Sequence, residues 1–173
     1  MPTHIFEAVR TLLAVREYQD REVPGEIVER VVEAAQLTAS ASNRQPWHFV
    51  VVRDRALLRE LGGLVRTGPY IASAAFAVVC AYEAETGARG VSDVSRAIQD
   101  MMLVAWEEGV GSNWTGFDGL TDVRERMGLP EIYNVVAVLP FGYPARKIGK
   151  GKKNRKPVEE VVSAERFGQP FRP

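Results

Sequence analysis

The sequence holds a single cysteine, Cys80, and two histidines, His4 and His48, among 173 residues. A lone thiol cannot close an internal disulfide, so nothing points to an oxidising compartment. Two histidines leave little material for a His-rich metal centre or a Ser-His-Asp triad. Neither sign of charge is in excess: 22 basic residues face 22 acidic ones, the isoelectric point is near 6.8, and no whole-molecule field draws the chain to nucleic acid or anionic membranes. Long apolar runs are missing as well. The longest, IASAAFAVVCAY over 71–82, is interrupted by Ser73 and falls short of the roughly 20 residues that span a bilayer. Residues 1–16 carry Glu7 and Arg10 inside their apolar pattern, unlike a secretory leader. These absences predict a soluble, cytoplasmic protein with no metal site, no membrane partner and no nucleic-acid partner.

What remains is an ordinary globular composition, 46% apolar and 25% charged. At 19.2 kDa the chain reads as one domain over 1–173, large enough to bury about 70% of its unfolded surface. Ile5, Phe6, Val9, Leu12 and Leu13 recur at helical spacing, an amphipathic first helix. Pro24 opens a second helix running to Leu37, with an apolar stripe too wide for one contact face. The small residues 38–43 predict a loop. WHFVVV over 47–52, 76–82 and YNVVAVLPF over 133–141 are strand-like. Residues 54–64 predict a short helix stopped by Gly62-Gly63, and 83–90 a loop. Val94 to Glu107 is a helix apolar on nearly every face, N-capped by Ser92 or Asp93, and central or at a subunit interface. Thr121 to Met127 is a further short helix stopped by Gly128. Buried strands among helices give an α+β fold.

Nucleophile motifs are absent. Gly109 to Trp114 has the look of a dinucleotide fingerprint but follows a helix rather than a strand, so Gly109 is better read as a left-handed helix terminator. Gly149-Lys150-Gly151-Lys152 lacks the hydroxyl residue of a phosphate loop. His48 reads as a structural or surface residue, Cys80 as an inert buried thiol. The one strong charge bias lies in 146–156, with seven basic residues in eleven positions. It is either a solvated surface or a phosphate anchor. Without interleaved aromatics it makes a poor nucleic-acid patch.

Taken together, several segments resemble the FMN-dependent nitroreductase family: Val15-Arg16-Glu17-Tyr18, Val23-Pro24, Ser40-Ala41-Ser42-Asn43-Arg44-Gln45-Pro46-Trp47 leading into the first strand, GVGSNWTGF over 109–117, Pro140-Phe141-Gly142-Tyr143-Pro144 and Lys153-Asn154-Arg155-Lys156-Pro157. The order is preserved along nearly the whole chain. The resemblance implies a central mixed or antiparallel sheet flanked by helices, in an intertwined homodimer with FMN in each of two interface clefts. Such a dimer would also cover the over-apolar helices. It implies that Arg16, Lys153 and Arg155 hold the FMN phosphate through charge-assisted hydrogen bonds. Ser40, Ser42, Asn43 and Gln45 would reach the flavin from the other subunit, and Trp114, Thr115, Gly116 and Phe117 would run along its ring, with a loop N–H facing N5. NAD(P)H would deliver hydride to the flavin, which would pass it to a nitroaromatic, quinone or related small-molecule acceptor by ping-pong kinetics. No catalytic acid or base side chain is required. The family often has Arg-Arg-Ser-x-Arg where this chain has Leu12-Leu13-Ala14-Val15-Arg16. Charged hydrogen bonds of about 1.5 to 3 kcal/mol each are lost there, unless Arg10, Lys152 or Lys156 substitutes. Two other readings stay open, a flavin-storage protein of the same fold with little turnover and a nucleic-acid-binding domain using 146–156.

Overall fold

The computed structural model describes residues 3–117, 120–148 and 153–171. Its helices and strands are α1 (Thr3–Thr11), α2 (Gly25–Gln36), β1 (Trp47–Val52), α3 (Arg55–Leu64), β2 (Phe76–Glu83), α4 (Gly87–Glu107), β3 (Gly111–Ser112), α5 (Thr121–Arg126), β4 (Tyr133–Gly142) and α6 (Val158–Val161). The strands form one antiparallel sheet in the order β1-β2-β4-β3. Among the described residues a parallel contact occurs at the isolated bridge between Ala14 and Ser112. The α+β expectation holds, with the sheet antiparallel throughout its named strands.

Both faces of the sheet are covered, which explains why β2 reads as a continuous apolar run rather than an alternating one. Its even-numbered residues Val78, Cys80 and Tyr82 pack with α2 and α4, against Val31, Ala35, Ile98 and Met101. The odd-numbered Ala77, Val79 and Ala81 pack with Leu58 and Leu61 of α3 and Val123 of α5. A bulge between Cys80 and Ala81 leaves Val136 as the extra residue of β4, and Val136 joins Ala137 on the α4 side. Among the described residues no helix is long and apolar enough to cross a membrane.

The strands at 47–52, 76–82 and 133–141 lie where their sequence predicts them, two of them extended by one residue. Gly109 ends α4 with φ 75°. Several local expectations are corrected. Gly62-Gly63 do not stop α3, which runs through them to Leu64. A Cβ on Gly62 would lie 3.0 Å from the Pro69 carbonyl oxygen, so this glycine serves close packing against the 69–73 turn. The predicted loop at 83–90 is instead a 3-10 turn, Ala84–Thr86, followed directly by α4 from Gly87. Asp93 therefore caps nothing. It lies within the helix, 2% exposed. Helix α1 stops at Thr11, and its apolar residues Ile5 and Phe6 remain about 70% exposed. Strand β3 has no sequence signature because it is two residues long.

Candidate functional site

The β3 edge of the sheet is built on close backbone approach. The segment following α1 lies along β3, with the Val15 amide donating to the Ser112 carbonyl at 2.9 Å. A Cβ on Gly111 would sit 2.4 Å from the Val15 side chain, so only glycine lets the two backbones meet. Tyr18 locks the other end of this segment: its buried hydroxyl donates to the carbonyls of Val15 at 2.7 Å and Pro140 at 3.2 Å. Burial pushes the Tyr18 phenol well above its ordinary range, which keeps it a neutral donor. Arg16, between these two fixed points, faces an open cleft with Ala14, Glu17, Pro144, Arg146 and Ile148. Within it Glu17 is paired with Arg146 at 3.1 Å.

Lys153 reaches the last turn of α1, its Nζ donating to the Val9 carbonyl at 2.6 Å. That is a favourable seat for a cation at the negative end of a helix dipole. Partial burial, and then the nearby Arg155, lower the Lys153 pKa from its ordinary value. Among the described residues Arg155 donates to the carbonyl of its neighbour Asn154, at 2.9 Å. Among the described residues none of Arg16, Lys153 and Arg155 has a carboxylate partner, while Arg10, Arg30, Arg44, Arg55, Arg96, Arg126 and Arg146 all do. Residues 149–152 of the basic segment lie outside the described residues.

Farther along the same edge, Thr115 ties its loop to β4. Its amide and Oγ1 both donate to the Val138 carbonyl, at 3.1 and 2.5 Å, and its own carbonyl accepts the Val138 amide at 2.9 Å. The Trp114 indole donates to the Gly116 carbonyl at 3.0 Å, and the Gly116 amide to Thr67 Oγ1 at 3.3 Å. The amides of Thr115 and Gly116 are thus engaged by protein acceptors. Trp114 and Phe117, their ring centroids 6.3 Å apart, wall a cleft of about 450 Å³ with Val65, Arg66, Thr67 and Leu120. Phe117 stands 79% exposed at its mouth.

The segment 40–45 is a tight turn before β1. Ser42, Asn43 and Gln45 all have positive φ, 53°, 54° and 52°, a region few non-glycine residues adopt. Ser40 Oγ accepts the Gln45 amide at 2.9 Å, and the Gln45 side-chain amide donates to Asn43 Oδ1 at 3.2 Å. Arg44 leans away to pair with Glu83 and Glu85.

The sequence model of the nitroreductase family matches residues 13–90 and 67–143. The chain belongs to the nitroreductase family. It is 36% identical over 152 residues, 84% of this chain and 80% of the relative, to a Methanothermobacter thermautotrophicus protein assigned by inference as an NADH dehydrogenase/NAD(P)H nitroreductase. A solved Bacteroides thetaiotaomicron structure with the same inferred assignment superposes with a TM-score of 0.86 at 27% identity, covering 94% of this chain and 98% of that one. An FMN-dependent nitroreductase from Clostridium difficile has the same fold, with a TM-score of 0.85 at 24% identity over 94% of this chain and 99% of that one. The family resemblance read from the sequence is borne out.

Within this nitroreductase fold the ten candidate residues fall into two groups. Arg16, Lys153, Arg155, Trp114, Thr115 and Gly116 belong to the β3 side of the sheet. Ser40, Ser42, Asn43 and Gln45 lie beyond the opposite edge, at the other end of the strands. Trp47 pairs with Tyr82 and Tyr82 with Asn134, whereas Ser112 pairs with Phe141, seven residues farther along β4. At about 3.4 Å per residue and about 4.8 Å per strand spacing, the two corners are roughly 25 Å apart. His48 is exposed on β1 with its ring 5.5 Å from that of Tyr133. Cys80 is fully buried, and burial pushes its thiol far up. Sequence reasoning missed Asp93, Tyr18 and Thr67. For Asp93 a signal was present, since an acid within the apolar stripe of Val94, Ala97, Ile98 and Met101 must find a donor inside the fold.

Proposed function

We propose that this nitroreductase-family chain is an FMN-dependent NAD(P)H oxidoreductase, acting as an intertwined homodimer with one FMN-binding unit over 1–173. The carrying observation is that Arg16, facing an open cleft, and the neighbouring Lys153 and Arg155, with Lys153 seated on the last turn of α1, have no carboxylate partners among the described residues. A phosphate of about −1.5 to −2 charge is the counter-ion such a group fits. The names of the nitroreductase relatives support the same reading. Bound FMN would supply hydride chemistry at N5, accepting from NAD(P)H and delivering to a nitroaromatic, quinone or related electrophile in ping-pong order.

This chain's residues do the positioning. Arg16, Lys153 and Arg155 hold the phosphate, and Arg16 is already fixed between Val15 and Tyr18. Trp114 and Phe117 wall the ring site and exclude water, while Thr115 pins their loop to β4. Ser40 holds the 40–45 turn, and Ser42, Asn43 and Gln45 present hydroxyl and amide groups that both donate and accept. A turn roughly 25 Å from the cationic corner cannot serve the same small ligand within one chain; it serves the site of a second copy. The uncovered apolar groove of Ile5, Ala8, Ala34, Leu37, Leu103 and Val104 between α1, α2 and α4 supplies the surface to bury against that copy. No acid or base side chain is assigned, since Cys80 is sealed in the core and His48 projects from β1.

Size-exclusion chromatography read at flavin and protein wavelengths tests this. A dimer peak that carries or takes up FMN, bleached by NAD(P)H under anaerobic conditions, is expected. No saturable FMN uptake would overturn the reading. A second reading, a flavin carrier with little turnover, is favoured by Leu12, Leu13 and Ala14 standing where the family often has Arg-Arg-Ser. Rapid anaerobic bleaching would exclude it.

A further inference from the structure

Asp93 is 2% exposed in the first half of α4, and only Asp93, Ser112, Asn113 and Thr115 are buried polar residues among those described. Its two carboxylate oxygens accept the Ala41 amide at 3.3 and 3.2 Å, and Arg96 pairs with it from the next turn. Seven residues on, two turns along the same stripe, Asp100 accepts the Thr38 hydroxyl at 2.6 Å. The link 38–41 is therefore fastened at both ends to one face of α4. What it carries next is the run of positive φ at Ser42, Asn43 and Gln45. The bonds internal to that turn tie Gln45 to Ser40 and Asn43, and Arg44 within it pairs outward with Glu83 and Glu85 near the end of β2; the start of the turn is held by α4. A second attachment, the Glu83 amide donating to the Pro46 carbonyl at 2.8 Å, holds the far end to β2.

We propose that Asp93 is a positioning residue for the flavin: through the Ala41 amide, with Asp100 as second anchor, it holds Ser40–Gln45 in the conformation that reaches the cofactor of the partner subunit. This rests on the FMN reading above. A buried carboxylate is costly unless fully hydrogen-bonded. Asp93 resolves that cost by taking an amide from a segment fifty-two residues away in sequence, so turn placement and helix burial become one event.

The test uses purified holo-dimer of wild type, Asp93→Ala and Asp93→Asn. It measures FMN affinity by fluorescence quenching, the visible circular dichroism of bound flavin, and thermal unfolding of the apo-protein. Asp93→Ala is expected to weaken FMN about tenfold, equivalent to about 1.4 kcal/mol, and to change the flavin dichroism. Asp93→Asn, which keeps an acceptor for Ala41, restores most of both. Affinity and dichroism unchanged in Asp93→Ala overturn the proposal, whatever happens to the melting temperature. A loss shared in full by Asp93→Asn also overturns it, since the ion pair to Arg96 would then be responsible. If Asp93→Ala does not fold, Ala41→Pro removes the same donor without touching α4, at a first-turn position that tolerates proline. The same loss of affinity is expected, and unchanged affinity again overturns the proposal. Wild type that binds no FMN would instead sink the functional reading itself.

Discussion

Phenylalanine is placed in two opposite ways in this molecule. In the sheet, Phe76 and Phe141 are at most 1% exposed and stack with ring centroids 4.7 Å apart and planes 5° from parallel. At the two ends of the chain, Phe6 is 70% and Phe167 103% exposed. The first pair is satisfied by its own chain, because β2 and β4 bring it together beneath α4. The others have no such cover, and the apolar face of α1 is adjacent to a groove lined by Leu37, Leu103 and Val104. An interior that is complete beside a periphery that is not shows that the sheet core closes within one chain, while the apolar face of α1 is left uncovered among the described residues, as the proposed second copy requires.

The contrast can be broken most forcefully from the inside. Phe76→Ala is expected to destabilise by about 3 to 5 kcal/mol, read as a lowered denaturant midpoint with unchanged slope. Next in size, Arg155→Ala should weaken FMN by the value of a charged hydrogen bond, about 1.5 to 3 kcal/mol, with unfolding of the apo-protein unaltered. Flavin titration and a melting curve on the same sample separate the two quantities. On the uncovered face, Phe6→Ala should raise the dimer dissociation constant by about 1 to 2 kcal/mol in sedimentation equilibrium. Its effect on the isolated fold should stay within about 0.5 kcal/mol. A Phe6→Ala protein that dimerises normally would remove α1 from the interface.

The smallest effect concerns pH. Lys153 has its pKa lowered from 10.5, by burial first and by Arg155 second. The folded chain therefore gives up this proton earlier than the unfolded chain as pH rises. The unfolded state binds more protons in that window, and this group's contribution to stability increases with pH up to 10.5. Phosphate binding has the opposite sign, because it needs the ammonium. FMN affinity should decline through the alkaline range below 10.5 while the apo-fold loses nothing on account of Lys153. Affinity titrations between neutral and alkaline pH, repeated with Lys153→Arg, check this. The arginine variant should flatten the profile.

Much of the architecture was legible because it is local. The β-branched run 47–52 predicts β1 to the residue, and Pro24 and Gly109 mark real helix ends. The strings around Ser40 and Lys153 point to the family. Illegible features depend on distant partners. Gly62-Gly63 read as a stop because glycine usually punctuates, but here the 69–73 turn packs where a side chain on Gly62 would sit. Asp93 read as a cap because acids favour helix starts, yet α4 begins six residues earlier. Neither the 69–73 turn nor the Ala41 amide has a trace in the spacing of nearby residues.

By itself, then, the sequence determined the alternation of strands and helices, the neutral and cysteine-poor character, and membership of the nitroreductase family. The first two follow from periodicity and composition, which are properties of neighbours along the chain, and the third from the motif strings that resemble the family. It took the folded chain to show that Ser40, Ser42, Asn43 and Gln45 lie beyond the β1 edge, away from the β3-edge candidates such as Arg16 and Thr115, that Tyr18 ties down the segment carrying Arg16, and that a buried carboxylate on α4 accepts the Ala41 amide ahead of the 40–45 turn. Those outcomes depend on how α4 lies across the sheet and which distant donor a desolvated acceptor meets, and no local pattern encodes that encounter.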